Sequence, residues 1–229
     1  KAWRKIIKEW PDRPSPYHSL AIVLDRACRY VEAAPISLKA MELFEDGTHG
    51  WAQAAAESFD LLKTNACREV PKPEWWNDEA LKALSARVVT VAPDNSDSCA
   101  MRARVLCGNL CGGAFCEAPW NVGPRTAAEV KEAATWYRRA ARVSLGPGDK
   151  QRDEQHASAC DEYADPLLAK EEAEAEKARA AAEAEAAEAL AAAKAEAAEA
   201  RKVAEAKAKA AADELLAEEE KEKQQASTK

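Results

Sequence analysis

Several features that define common protein classes are missing or rare in this sequence. The chain of 229 residues has a net charge of −7 and so lacks the surplus of Lys and Arg that phosphate backbones attract. No apolar run approaches the roughly 18 residues that a membrane-spanning helix needs. Alternating β-branched runs are also scarce, and apolar residues recur instead at helical spacing. We therefore expect an all-α fold with no transmembrane segment and no nucleic-acid partner.

Signals for catalysis are equally sparse. The three histidines, His18, His49 and His156, are far apart and have no Asp or Cys in a recognisable arrangement. No Gly-x-Ser-x-Gly nucleophile motif occurs, and no Gly-Lys-Ser/Thr follows the glycines near residue 110. The expectation is a non-enzymatic protein without a cofactor.

The seven cysteines are odd in number and irregularly spaced, whereas a secreted disulfide scaffold is shorter and denser in cysteine. We interpret them mainly as reduced, small apolar residues of a helical core, which predicts a reducing intracellular compartment, with the cytoplasm favoured over an organelle matrix. The chain starts at Lys1 inside an amphipathic pattern, which indicates a fragment or a processed form.

Three of the cysteines, Cys107, Cys111 and Cys116, cluster among glycines. Thiolates at this spacing are candidate zinc ligands, with Cys99 or His156 as a fourth. The alternative is a glycine-rich loop whose cysteines pack beneath neighbouring helices. A small zinc-binding or enzymatic module built on the Cys107–Cys116 insertion is therefore the second functional hypothesis.

Composition changes sharply at Asp165-Pro166. Every Gly, Pro, Cys and aromatic residue lies at or before this point, and residues 167–229 contain 26 alanines with 16 acidic and 11 basic residues. The pattern predicts a domain over 1–165 and a long Ala/Glu/Lys-rich helix over 166–229, capped by Asp165 and frayed from Gln224.

The domain shows a repeat. Tyr17 and Trp51, 34 residues apart, both open a helical segment, and Thr126 with Glu129 forms a capping-box pattern before another. Small, large apolar and aromatic residues then recur at matching positions: Leu20, Ala21, Leu24, Ala33, Ala40, Ala54, Ala55, Ala103, Leu106, Ala133, Tyr137 and Ala140.

Residues 1–165 thereby resemble the tetratricopeptide repeat (TPR) family, with insertions near 63–76 and 108–125 and Ser37 where the family has an aromatic. An irregular helical bundle is the alternative. The resemblance implies stacked helical hairpins, an α-solenoid, that act as a protein-binding scaffold or assembly subunit. The family's carboxylate clamp, which holds chaperone C-termini, is not expected here, because its positions carry His18, Ile22, Gln53, Asp97 and Met101.

Four residues are candidate partner contacts. Trp75 and Trp76 lie in the first insertion, where aromatic side chains serve either as interface anchors or as a seal over the core. Arg138 and Arg139 directly follow Trp136 and Tyr137 in a predicted helix, and both arginines are expected to face solvent or a groove.

The tail lacks a seven-residue apolar repeat. Residues 184–194 and 195–205 instead agree at seven of eleven positions, and an 11-residue period gives a thin alanine stripe rather than a leucine seam. We favour a single solvated helix that acts as a spacer, with docking along a partner or partial disorder as the alternatives.

Overall fold

The computed structural model describes residues 2–108, 120 and 122–226. This part of the chain is helical and contains no β-strand, which confirms the all-α prediction. Its α-helices are α1 (Ala2–Glu9), α2 (Pro14–Arg26), α3 (Tyr30–Leu43), α4 (His49–Leu62), α5 (Asp78–Val91), α6 (Ser96–Cys107), α7 (Ala127–Val143) and α8 (Pro147–Ala226), with a short 3₁₀ turn at Asn65–Cys67.

Side-chain caps define where four of the helices begin. The side chains of Thr48, Asn77 and Asn95 each accept a backbone N–H from the first turn of α4, α5 and α6. Thr126 and Glu129 form the predicted capping box at the start of α7. Each cap satisfies a backbone donor that would otherwise lack a partner, worth about 1 kcal/mol. The insertions predicted near 63–76 and 108–125 coincide with the segments between α4 and α5 and between α6 and α7.

Consecutive helices from α1 to α7 pack against one another, and α4 also packs against both α2 and α6. Small residues line these contacts: Ala33, Ala34 and Ala40 on α3 and Ala54 on α4 are fully buried. Ser37 donates to or accepts from Ser58 at 2.9 Å between α3 and α4. Two hydroxyls that satisfy each other thus replace the bulk of an aromatic ring at this position.

Aromatic residues from both insertions complete the core around Phe59. Its ring lies 5.7 Å from that of Trp76 and 5.6 Å from that of Trp120, centroid to centroid. A second buried cluster joins α6, α7 and the start of α8, and includes Leu106, Tyr137 and Cys160. Trp76 and Trp120, one from each inserted segment, are therefore part of the core.

The last helix begins earlier than the sequence predicted. Helix α8 starts at Pro147 and continues through Pro166, so the prediction that Asp165 caps a helix starting at Pro166 is wrong. Ala157, Cys160 and Ala164, on one face of α8, are buried against α7. This packing outweighs the backbone hydrogen bond that an internal proline removes.

The chain divides into two compact units, Lys1–Glu171 and Glu172–Lys229. The second unit is helical as far as Ala226, and its side chains are exposed up to Glu214. Arg201 pairs with Glu205 at 3.0 Å and Lys202 with Glu199 at 3.5 Å. At 1.5 Å per residue this helical stretch is about 80 Å long. Within the described ranges, no helix is both long and apolar enough to cross a membrane.

Gly108, which ends α6, gives a test of the fold. Its φ of +57° suits glycine, and an added Cβ would lie 2.6 Å from Cγ1 of Val122. We expect Gly108→Ala to lower the free energy of unfolding by about 1–3 kcal/mol, measured by urea denaturation. Gly148→Ala is the control, because its Cβ would meet open space. Equal stability of the two variants would contradict the geometry.

Candidate functional site

The structure separates the two tryptophans that the sequence paired as candidate contacts. Trp76 is 9% exposed and lies in the core with Phe59 and Trp120. Trp75 is half-buried, with its ring centroid 5.7 Å from that of Trp76. Trp76 thus has the core role that the sequence left open, and Trp75 is the member of the pair that reaches the surface.

Trp75 lines a surface cleft of about 320 Å³ between the C-terminal end of α3 and the first insertion. The floor and walls are mostly apolar, and Glu42 and Asp46 stand at the edge. The lining residues are Leu38, Met41, Phe44, Trp51, Pro73 and Trp75.

Both candidate arginines are already engaged in ion pairs; Arg138 is exposed and Arg139 is half-buried. Arg138 pairs with Asp161 of α8, and Arg139 pairs with Asp94 at 3.1 Å. Such surface pairs are worth about 0–1 kcal/mol, so a partner's carboxylate could replace either one at little cost. Their role in partner binding stays a prediction.

The cysteine cluster is only partly described, because Cys111 and Cys116 lie outside the described residues. The sulfur of Cys107 is buried, 3.8 Å from the hydroxyl oxygen of Tyr137. Within the described part of the chain, no group of three or more His, Cys, Asp or Glu side chains is arranged to hold a metal ion. The zinc hypothesis for the three cysteines stays untested.

A buried ion pair anchors the end of the second insertion. The Arg125 side chain, 2% exposed, donates to both carboxylate oxygens of Asp78 at 2.5 and 2.8 Å and to the carbonyl of Val105. Trp120 Nε1 donates to Asp78 at 3.2 Å. The hydrogen bonds from Arg125 hold the pKa of Asp78 at about 2. This network ties α5 to α6 and to the inserted chain, which is a structural role.

A second set of charged side chains is only partly paired. Helices α2, α4, α6 and α8 carry five carboxylates, each of which interacts electrostatically with at least one other; we call them the acidic face: Asp25, Glu57, Asp60, Asp97 and Asp153. Only Asp60 is paired, with Arg104 at 2.5 Å and Lys63 at 3.6 Å. The other four form no ion pair with any described residue.

The surroundings of these carboxylates disfavour their ionised form. Burial, followed by the charges of Asp25, Asp60 and Asp97, raises the pKa of Glu57 to about 7, and Arg26 offsets this only in part. Burial also raises the pKa values of Asp25 and Asp97. Asp97 is nonetheless open to solvent.

Asp153 is the most deeply placed member of the acidic face. Its side chain is 2% exposed, and its Oδ1 has no hydrogen-bond partner among the described residues. Burial raises its pKa, while Arg104 and Arg152 act in the opposite direction. A buried polar atom without a partner costs roughly 1–3 kcal/mol. A buried polar group of this kind is normally satisfied by protein, ordered water, an ion or a ligand.

Sequence reasoning did not find the acidic face. Its residues are separated by 32, 3, 37 and 56 positions, so no local motif marks them among 40 acidic residues. The sequence singled out Asp97 only because it does not fit the pattern of a carboxylate clamp. The four unpaired carboxylates lie on α2, α4, α6 and α8, and this placement on alternate helices was the only signal that could have indicated the face.

Comparison with known proteins identifies no relative. No family model matches this sequence, and neither the curated proteins nor the solved structures give a match. Function must therefore be argued from the chain's own residues.

The Asp78–Arg125 pair predicts a pH-dependent stability. A folded pKa of about 2 lies below the usual 3.8, so the pair stabilises the fold above pH 4, and this contribution is lost as the pH falls towards 2. Asp78→Asn should cost about 3 kcal/mol at pH 7, because it leaves the Arg125 charge buried without a partner. Thermal unfolding at pH 7 and pH 2.5 measures this; an equal loss at both values would contradict it.

Glu57 predicts the opposite dependence. Its folded pKa of about 7 lies above the usual 4.5, so between these values the folded state retains a proton that the unfolded chain loses. Stability should therefore fall as the pH rises from 4.5 to 7 and level off above. Glu57→Gln should remove this slope and stabilise the protein by about 2 kcal/mol at pH 8. The exposed Glu154→Gln is the control, and an unchanged slope in Glu57→Gln would refute the assignment.

Proposed function

We propose that this protein is a non-enzymatic interaction scaffold or assembly subunit, in which helical hairpins of TPR-like arrangement bind a segment of another protein. The packing order supports this proposal. Helices α2, α4 and α6 contact one another in succession, while α3, α5 and α7 each complete a hairpin. An α-solenoid is built in this way, and it presents one face of alternate helices to a ligand. The residues that carry the family resemblance are mostly buried, as hairpin contacts require.

The observation that carries the proposal is the acidic face. Four unpaired carboxylates from four alternate helices destabilise the folded chain, since burial and like charges raise their pKa values. Features that lower stability without a structural gain are typical of functional surfaces. The face also has the wrong charge for a C-terminal carboxylate, in agreement with the expected absence of a clamp.

In this proposal the second unit is a spacer or docking arm. Its described side chains are exposed, and its larger apolar residues do not form a continuous stripe. Ion pairs one helical turn apart, such as Arg201 with Glu205, support a helix that is surrounded by solvent.

Position-specific crosslinking tests the scaffold function. A photoreactive residue in place of Gln53, four residues before Glu57 on the same face of α4, should form an adduct with one protein in extracts of the source cell. Thr135, exposed on α7, is the control position and should form none. Mass spectrometry of the adduct gives the partner and the segment in contact. Adducts at neither position, or equally at both, would refute the proposal.

The spacer role predicts that a 172–229 peptide is largely helical and monomeric. Without an apolar seam, its helicity should not depend on concentration. Circular dichroism from 10 to 500 μM, with sedimentation equilibrium, measures both properties. Helicity that rises with concentration, together with a dimer mass, would instead indicate a coiled coil.

A further inference from the structure

We propose that the acidic face binds an extended protein segment rich in lysine and arginine. This inference rests on the proposed function and specifies the chemistry of its partner. The face offers carboxylates from four helices, and the cations that the segment brings would complete the ion pairs that the chain itself leaves open.

The unpaired carboxylates of the acidic face support a positively charged partner. Asp25, Glu57 and Asp97 interact electrostatically in sequence from α2 to α4 to α6. Among the described residues, none of the three has a cation within ion-pair distance. The cations nearby are already used or are more distant. Arg104 pairs with Asp60, and Arg152 pairs with Asp149 at 2.9 Å.

The buried carboxylate of Asp153 supports the same partner independently. An oxygen of this almost fully buried carboxylate has no hydrogen-bond partner among the described residues, and the charges that act on it belong to α6 and α8, including Asp97 and Arg104. An ammonium or guanidinium group that enters here would satisfy the oxygen and compensate the buried charge. A neutral ligand would satisfy the oxygen but would not compensate the buried charge.

The layout of the face sets the length of the segment. Helices α2, α4 and α6 pack in succession, and adjacent packed helices lie roughly 8–10 Å apart, so the distance from α2 to α6 is about 18 Å. An extended chain rises about 3.3 Å per residue and needs roughly six residues to cross these three helices. A single ion or one side chain would contact only part of the face.

Other occupants fit less well. Nucleic acid and C-terminal carboxylates carry the same sign of charge as the face. The chain's own tail has 16 acidic and 11 basic residues over 167–229, which disfavours a second copy of this chain. In the described residues no side-chain cluster is suited to a metal ion.

Fluorescence anisotropy on the full chain provides the test. The probe is a labelled ten-residue peptide with lysine at every second position and serine between, and glutamate replaces lysine in its control. The site variant is Glu57→Gln with Asp97→Asn. The matched control, Glu183→Gln with Glu185→Gln, makes the same charge change in the second unit and reports non-specific attraction to the acidic tail.

The proposal expects binding of the lysine peptide at 150 mM salt and none of the glutamate peptide. The site variant should weaken binding at least tenfold and the tail variant less than twofold. The site variant should also melt at the same or a higher temperature, because it removes like-charge repulsion. A merely structural role for these carboxylates would lower the melting temperature. Asp97→Asn alone, at an exposed position, serves as a second and milder variant.

Three results would overturn the proposal: no binding of the lysine peptide, no effect of the site variant, or an equal effect of the site and tail variants. Its failure is distinguishable from that of the scaffold function. An adduct at Gln53 with a segment that lacks Lys and Arg would leave the scaffold standing and remove the basic partner. No adduct at Gln53 would remove the scaffold function itself.

Discussion

Close approach of helices through alanine is the constraint on which the rest of this structure depends. Ala21 on α2, Ala55 on α4 and Ala103 on α6 are fully buried, so the alternate helices meet with little side-chain volume between them. Charged residues elsewhere on the same helices are consequently crowded together. The electrostatic contact between Glu57 and both Asp25 and Asp97 follows from this spacing, because larger core residues would have moved the helix axes apart.

Two groups of carboxylates in the same domain illustrate how differently burial acts when a cation is present. Asp78 has Arg125 within hydrogen-bond distance, and its pKa falls to about 2. Glu57 is surrounded mainly by other carboxylates, and its pKa rises to about 7. The first arrangement locks an insertion into the core and stabilises the fold. The second destabilises it, which is why we assign binding to the acidic face and structure to the pair at Asp78.

Local signals in the sequence predicted the local structure well. The capping box at Thr126 and Glu129 depends on neighbouring residues, and the structure contains it. The predicted start of the last helix was wrong because burial of Ala157 and Ala164 against α7 is a tertiary effect that composition does not show. For the same reason the sequence could not decide which of Trp75 and Trp76 enters the core. The acidic face depends on packing between four distant helices and could not be predicted from spacing.

The second unit follows a different physical rule from the first. Helices α2 to α7 are held by buried contacts, so their sequences tolerate a proline within α3 and a glycine at the C-cap of α6. From Glu172 to Glu214 the side chains are exposed, and residues of high helical propensity and charge pairs within one turn stabilise this stretch. The complete lack of Gly and Pro after Pro166 is therefore a requirement of a solvated helix. An alanine-rich surface also buries little apolar area in a dimer, which favours a spacer over self-association.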